Sequence, residues 1–180
     1  MLEKNLFAGF GGQGMLLIGE FLAQAGMSEG KFVSWLPSYG PEMRGGTANC
    51  SVVISDREIA SPVITSASCV VAMNRPSLDK FEKTVRPGGL LIINLSLIDR
   101  RAERDDIDVL YIPASEAAEE IGNPKGANVV ILGAYLQKRP VVSVDSLMDA
   151  MKFLLGERKA RFLEGNKNAL LKGMELAAAQ

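Results

Sequence analysis

Asn5-Leu6-Phe7-Ala8-Gly9-Phe10-Gly11-Gly12-Gln13-Gly14 decides the fold, because an apolar run passes without interruption into a glycine-rich turn. Beyond the turn, Leu16, Leu17, Phe21, Leu22 and Ala25 recur at helical spacing. Gly26 and Gly30 bracket the helix end, and Lys31 to Leu36 is a second extended apolar run. Strand, turn, helix and strand in that order predict a right-handed βαβ unit with parallel strands. Gly9, Gly11 and Gly14 also satisfy G-x-G-x-x-G where the motif has physical meaning: at a helix start, unblocked amides and the helix dipole favour an anion.

A conventional dinucleotide site needs one more part, an acidic residue at the end of the second strand to hold a ribose. Ser34-Trp35-Leu36-Pro37 occupies that place, and Glu29 precedes the strand. Two interpretations of Gly9, Gly11, Gly12, Gln13 and Gly14 therefore stay open. The glycines either permit only a close strand-to-helix turn, or they cradle a phosphate-bearing group. Gln13 has the same two options, reaching a ligand with its amide or capping the turn.

Ser38 to Gly46 follows as a polar loop rich in glycine and proline, of the length that usually carries function. Thr47 to Ile54 is a β-rich run, and Ile59 to Ile64 is a short extended piece whose Pro62 favours an edge, so the two predict an antiparallel hairpin insertion. Cys69 to Met73 and Leu90 to Leu95 read as buried strands of a parallel sheet, with a helix over Pro76 to Val85 between them and a tight turn at Pro87-Gly88-Gly89. Asp108 to Ile112 is a further strand. Ser115, Asn128 and Ser143 or Asp145 are placed to cap three helices, and 157–179 is helical. The pattern predicts one α/β domain over 1–180, a Rossmann-like, doubly wound, mostly parallel sheet with a hairpin insertion and a C-terminal helix.

Composition narrows the chemistry. The chain has 180 residues, enough for a single core that buries roughly 70% of the unfolded surface. Twenty basic residues oppose 21 acidic ones, without a basic stripe, which argues against nucleic acid. Charged or glycine residues break every apolar run before the ~18 residues that a membrane span requires. The start shows no basic segment followed by a long apolar one, so a cytoplasmic location is expected. There is no histidine, which removes the commonest general base and metal ligand. Two separated cysteines, Cys50 and Cys69, sit in strand-like segments and are expected to be core thiols. With so few ligands, no metal site and no iron–sulfur cluster is expected on this chain, and no catalytic residue can be named.

The second loop gives the sharpest signal. Pro37-Ser38-Tyr39-Gly40-Pro41-Glu42-Met43-Arg44-Gly45-Gly46, taken with Gly9-Phe10-Gly11-Gly12-Gln13-Gly14, Ser55-Asp56 and Ser61-Pro62, closely resembles the gamma subunits of 2-oxoacid:ferredoxin oxidoreductases. Phe10 and Ser38-Tyr39-Gly40 look most like the 2-oxoglutarate type. Weaker likeness extends through Ala72-Met73-Asn74, Pro87-Gly88-Gly89 and Leu132-Gly133-Ala134-Tyr135. A departure is Ala67-Ser68-Cys69, where such subunits would carry an aspartate ahead of the strand.

The resemblance implies a non-autonomous subunit. Alpha, beta and ferredoxin-like delta partners would hold thiamine diphosphate, magnesium and iron–sulfur clusters, coenzyme A would accept the acyl group, and ferredoxin would take the electrons. It also implies that Ser38, Tyr39, Gly40, Pro41, Glu42, Met43, Arg44, Gly45 and Gly46 lie against the catalytic subunits, with Glu42 and Arg44 fixing register. The glycine loop would then meet coenzyme A or a partner's cofactor. A stand-alone nicotinamide or flavin oxidoreductase and a nucleotide- or coenzyme A-binding module are the rivals. Isolated from its partners, the chain is expected to self-associate as a dimer.

Overall fold

A computed structural model describes residues 1–39 and 47–180. Six strands form one sheet: β1 (Leu2–Phe10), β2 (Phe32–Tyr39), β3 (Thr47–Ser55), β4 (Ala67–Ala72), β5 (Val85–Asn94) and β6 (Asp108–Ile112). Their spatial order is β2-β3-β1-β4-β5-β6. β1, β4, β5 and β6 are mutually parallel, whereas β3 runs antiparallel to both neighbours. The helices are α1 (Met15–Ser28), α2 (Arg75–Phe81), α3 (Ala114–Glu120), α4 (Ala127–Lys138), α5 (Val144–Leu155) and α6 (Leu163–Ala178). The expected α/β architecture is present.

The hairpin is built from different parts than the sequence suggests. β3 pairs with β2, from Phe32 opposite Ser55 to Tyr39 opposite Ala48, and 59–64 contains no strand. Pro62 has no amide to give a ladder, while β2 and β3 offer an uninterrupted register. Consequently β3 enters between β1 and β2, so the expected βαβ neighbours share a direction without touching. The predicted loop also starts later, because Ser38 and Tyr39 complete β2. At the other end of the sheet, β5 begins at Val85 and runs through the predicted turn, with a register shift opposite Ala67 and Cys69. Gly88 absorbs that irregularity with a φ of 67°.

Two apolar layers flank the sheet. On one side α1, α3, α4, α5 and α6 pack over Phe7, Cys50, Val52, Val71 and Ile92. Phe7 meets the buried Tyr135 ring edge-on, with centroids 5.8 Å apart. There α4 and α6 cross closely because Gly133 and Gly173 lack Cβ atoms; added ones would meet the carbonyls of Leu170 and Val130. On the other side α2 and residues 95–107 cover Val70, Leu91 and Ile93. Buried Glu82 ties this second layer down, accepting from Arg100 Nη2 at 2.7 Å and from the amide of Glu103 at 2.5 Å.

Of the expected caps, Ser143 is one: its hydroxyl accepts the Ser146 amide at 3.0 Å and starts α5. Ser115 and Asn128 are not. α3 begins at Pro113-Ala114 and α4 at Gly126-Ala127, which leaves both side chains inside the first turn. In Asn128 that frees the side chain for a contact with the glycine loop.

Candidate functional site

The carboxyl ends of β1 and β4 define the site. α1 leaves β1 toward one face of the sheet and α2 leaves β4 toward the other, so the chain diverges between adjacent parallel strands. Such a switch point opens a crevice where α/β proteins bind ligands. The glycine loop lines it.

The loop is held from within. Gln13 folds back so that its Oε1 accepts the Phe10 amide at 2.6 Å, and the Gln13 amide donates to the Phe10 carbonyl at 3.1 Å. Asn74 Nδ2 donates to the same Oε1 at 3.3 Å. Thus Gln13 caps the turn, and a Cβ on Gly9 would stand 2.6 Å from its Oε1. Gly12 and Gly14 have φ of 99° and 74°, values that side chains with a Cβ resist. Gly14 is the N-cap of α1 without a side-chain bond to the first-turn amides, and no acidic residue occupies that turn. A negatively charged group is therefore electrostatically favoured there.

Asn74 and Asn128 contact this turn while Asn94 ends β5, two strands away, and the sequence pattern did not single them out as a group. Asn74 caps α2 by accepting the Ser77 amide at 2.9 Å. From α4, Asn128 Nδ2 donates to the Gly14 carbonyl at 3.3 Å. At the end of β5, Asn94 Oδ1 accepts the amides of Ala114 and Ser96 at 3.2 and 3.3 Å. Asn74 and Asn128 join α2 and α4 to the loop, so its shape depends on long-range packing. Asn74-Arg75-Pro76 carried a readable signal, a cap residue followed by proline in the first turn; Asn128 carried a misleading one.

The missing ribose acid has a structural counterpart. Since β3 separates β1 from β2, the end of β2 is not beside the glycine loop, as it would be in a dinucleotide fold. Phe10 pairs with Thr47, however, so the loop after β2 departs from the same end of the sheet as the glycine turn. Gly40, Pro41, Glu42, Met43, Arg44, Gly45 and Gly46 lie outside the described residues, and Ser38 is exposed on β2.

Redox and metal chemistry find little purchase on the described part of this chain. No cluster of three or more His, Cys, Asp or Glu side chains could hold a metal ion among the described residues. Cys50 and Cys69 are buried, and burial pushes the Cys50 thiol up to about 12 and Cys69 further in the same direction. Neither is a poised thiolate. An iron–sulfur cluster does not fit these two residues, and no helix of the described residues is long and apolar enough to cross a membrane.

Comparison with known proteins agrees with this geometry. Residues 4–176 match the family described as pyruvate ferredoxin/flavodoxin oxidoreductase. The ketoisovalerate oxidoreductase subunit VorA of Methanothermobacter marburgensis is 39% identical over 94% of this chain, which spans about a third (35%) of the length of that relative. The 2-oxoglutarate synthase subunit KorC of the same organism is 37% identical over 84% of the chain and 86% of KorC. Among solved structures, the gamma subunit of a keto/oxoacid ferredoxin oxidoreductase from Geobacter sulfurreducens is 29% identical, with a TM-score of 0.83 and 99% of both chains covered. A 2-oxoglutarate:ferredoxin oxidoreductase from Magnetococcus marinus shares the fold at TM-score 0.90 and 24% identity, over 99% of this chain and 31% of that one. From its glycine turn to α6, this chain belongs to the pyruvate ferredoxin/flavodoxin oxidoreductase family, with gamma-type subunits among its relatives.

Proposed function

We propose that this chain is the single-domain gamma subunit of a cytoplasmic, thiamine diphosphate-dependent 2-oxoacid:ferredoxin oxidoreductase. The observation that carries this reading is the correspondence of 84% of this chain with 86% of the 2-oxoglutarate synthase subunit KorC. Partner subunits of alpha, beta and delta type hold thiamine diphosphate, magnesium and iron–sulfur clusters, which supply the electron sink for decarboxylation and the relay to ferredoxin. This chain contributes binding and positioning. Its glycine loop, at a helix N-terminus with neutral amide side chains around it, suits a phosphate of coenzyme A; Gln13, Asn74 and Asn128 hold the loop in shape. The segment 40–46 meets the catalytic subunits.

For the substrate, 2-oxoglutarate is the reading favoured by Ser38-Tyr39-Gly40, and a branched 2-oxoacid is the alternative favoured by the likeness to VorA. Anaerobic reconstitution with alpha-, beta- and delta-type chains tests both. Ferredoxin reduction should require this chain and should select one oxoacid from a panel. Arg44→Ala should lower assembly or turnover, whereas isothermal titration of the isolated chain with NAD, NADP and flavins should give no binding. Tight binding of any of these would favour a stand-alone oxidoreductase.

A further inference from the structure

Among the described residues the sheet ends on one side at β6, which pairs with β5 alone. An edge strand offers its outward amides and carbonyls to any extended chain that can pair with them, and natural sheets blunt such edges. Backbone groups alternate in direction along a strand, so Asp108, Leu110 and Ile112 turn theirs toward β5 while Val109 and Tyr111 turn theirs outward. The Leu95 amide, which donates to the Ile112 carbonyl at 2.9 Å, fixes this phase. β6 itself holds neither proline nor lysine, and its pairing with β5 runs without a register shift. Several usual deterrents to strand addition are therefore missing.

One side chain stands in for a strand. Gln180, just beyond α6, donates from Nε2 to the Tyr111 carbonyl at 2.9 Å and accepts the Tyr111 amide at Oε1 at 3.3 Å. A carboxamide offers an N–H donor and an oxygen acceptor side by side, the same pair that a neighbouring strand would present. It arrives on a firm support, since α6 is held by its close crossing with α4 at Gly133 and Gly173. Tyr111 is fixed as well: its hydroxyl accepts the Ala102 amide at 3.0 Å, and the Arg101 guanidinium lies 4.4 Å from its ring centroid. Val109, next along the outward side, lines a cleft with Lys138, Arg139 and Gln180, so the strand has room beside it.

We propose that Gln180 guards a latent pairing edge, and that the partner it holds off is β6 of a second copy of this chain. A two-fold axis through Leu110 sets Val109 opposite Tyr111 of the second copy, antiparallel, and Tyr111 opposite its Val109. The outward groups of both strands then bond one another. The same register sets Asp108 opposite Ile112, so like charges do not meet across the pair. Gln180 of each copy occupies the place that this pairing needs. Loss of the carboxamide exchanges an internal contact for an intermolecular one.

Gln180→Ala removes the guard from the full chain, and adding Val109→Pro removes an outward amide at an edge position that tolerates proline. In sedimentation equilibrium the dimer dissociation constant of Gln180→Ala should fall at least about tenfold below that of the wild type, and the double variant should lose this gain. At dilution, where the chain is monomeric, the Tyr111 amide should exchange at least about tenfold faster in Gln180→Ala than in the wild type. A fluorescent synthetic peptide of residues 107–113 gives a readout independent of the double variant: it should bind Gln180→Ala at least about tenfold more tightly than the wild type. Faster exchange at Tyr111 without tighter self-association would reduce Gln180 to a tether for α6 and overturn the guard. Unchanged exchange would overturn it as well, because the bonds to Tyr111 would then protect nothing. Tighter association that survives Val109→Pro, with no gain in peptide binding, would place the contact elsewhere and contradict the proposal.

Discussion

The two halves of the sheet differ in what their sequences ask for. β4 reads Ala-Ser-Cys-Val-Val-Ala and is buried at every position, as are Leu90 to Asn94 of β5. Side chains on both faces of those strands meet another layer, so an unbroken apolar run is stable there. β2 reads Phe-Val-Ser-Trp-Leu-Pro-Ser-Tyr, with Val33 and Trp35 toward α1 and Phe32, Ser34, Leu36 and Ser38 toward the opposite side. The first half completes itself within this chain. The second has a thinner cover on its far face, where residues 57–62 lie beside Leu2, Lys4, Phe32 and Ser34 and bury Val53 and Ser55.

Substitutions can break that contrast. The largest effect is expected in the two-sided half: Ile92→Ala removes a fully buried side chain and should cost about 2–5 kcal/mol in denaturant unfolding. Next comes the layer over β4 and β5. Glu82→Gln keeps the shape of the buried side chain but replaces the carboxylate that receives Arg100 and two backbone amides, and should cost about 1–3 kcal/mol. Smallest is the edge strand β2, where Leu36, 43% exposed, should on replacement by Ser change the stability of the isolated chain by less than about 0.5 kcal/mol. A loss at Leu36 comparable to that at Ile92 would mean that Leu36 is part of the chain's own core.

Acid should sharpen the same contrast. Burial by itself would raise the Glu82 carboxyl, but the Arg100 guanidinium and the amides of Glu103 and Arg104 hold it below its ordinary value. At the other side of the sheet, burial opposes and the bonds from Lys31 Nζ and from the Ser143 amide outweigh it, holding Glu29 at about 2. Both carboxyls are depressed in the folded state, so the unfolded chain binds more protons as pH falls. Their contribution is fully present above the unfolded value of 4.5 and is lost as pH drops through it toward 2. Melting temperature should fall over that window, and Glu82→Gln should flatten the fall.

Local signals made much of this fold legible. Gly9 to Gly14 announced a strand-to-helix turn because positive φ at Gly12 and Gly14 is a local demand that glycine meets. β4 and β5 were readable because two-sided burial leaves no room for alternation. Ser143 was readable as a cap since its bond to the Ser146 amide spans three residues. What escaped was non-local. Nothing in the period-two pattern of Thr47 to Ser55 says whether its partner is Phe32 to Tyr39 or the segment after the turn, and the choice of register was made by Pro62 and by packing under α1. Asn128 reads as a cap in one dimension, and becomes a brace for Gly14 when α4 arrives from 114 residues away.

Hydrogen exchange of β2 and β4 in the isolated chain tests the contrast between the two halves most directly. In the isolated chain the amides of Val33 to Leu36 and of Ser38 should exchange faster than those of Cys69 to Ala72, because β2 is an edge strand and β4 is buried at every position. Exchange of β2 at or below the rate of β4 would contradict the account.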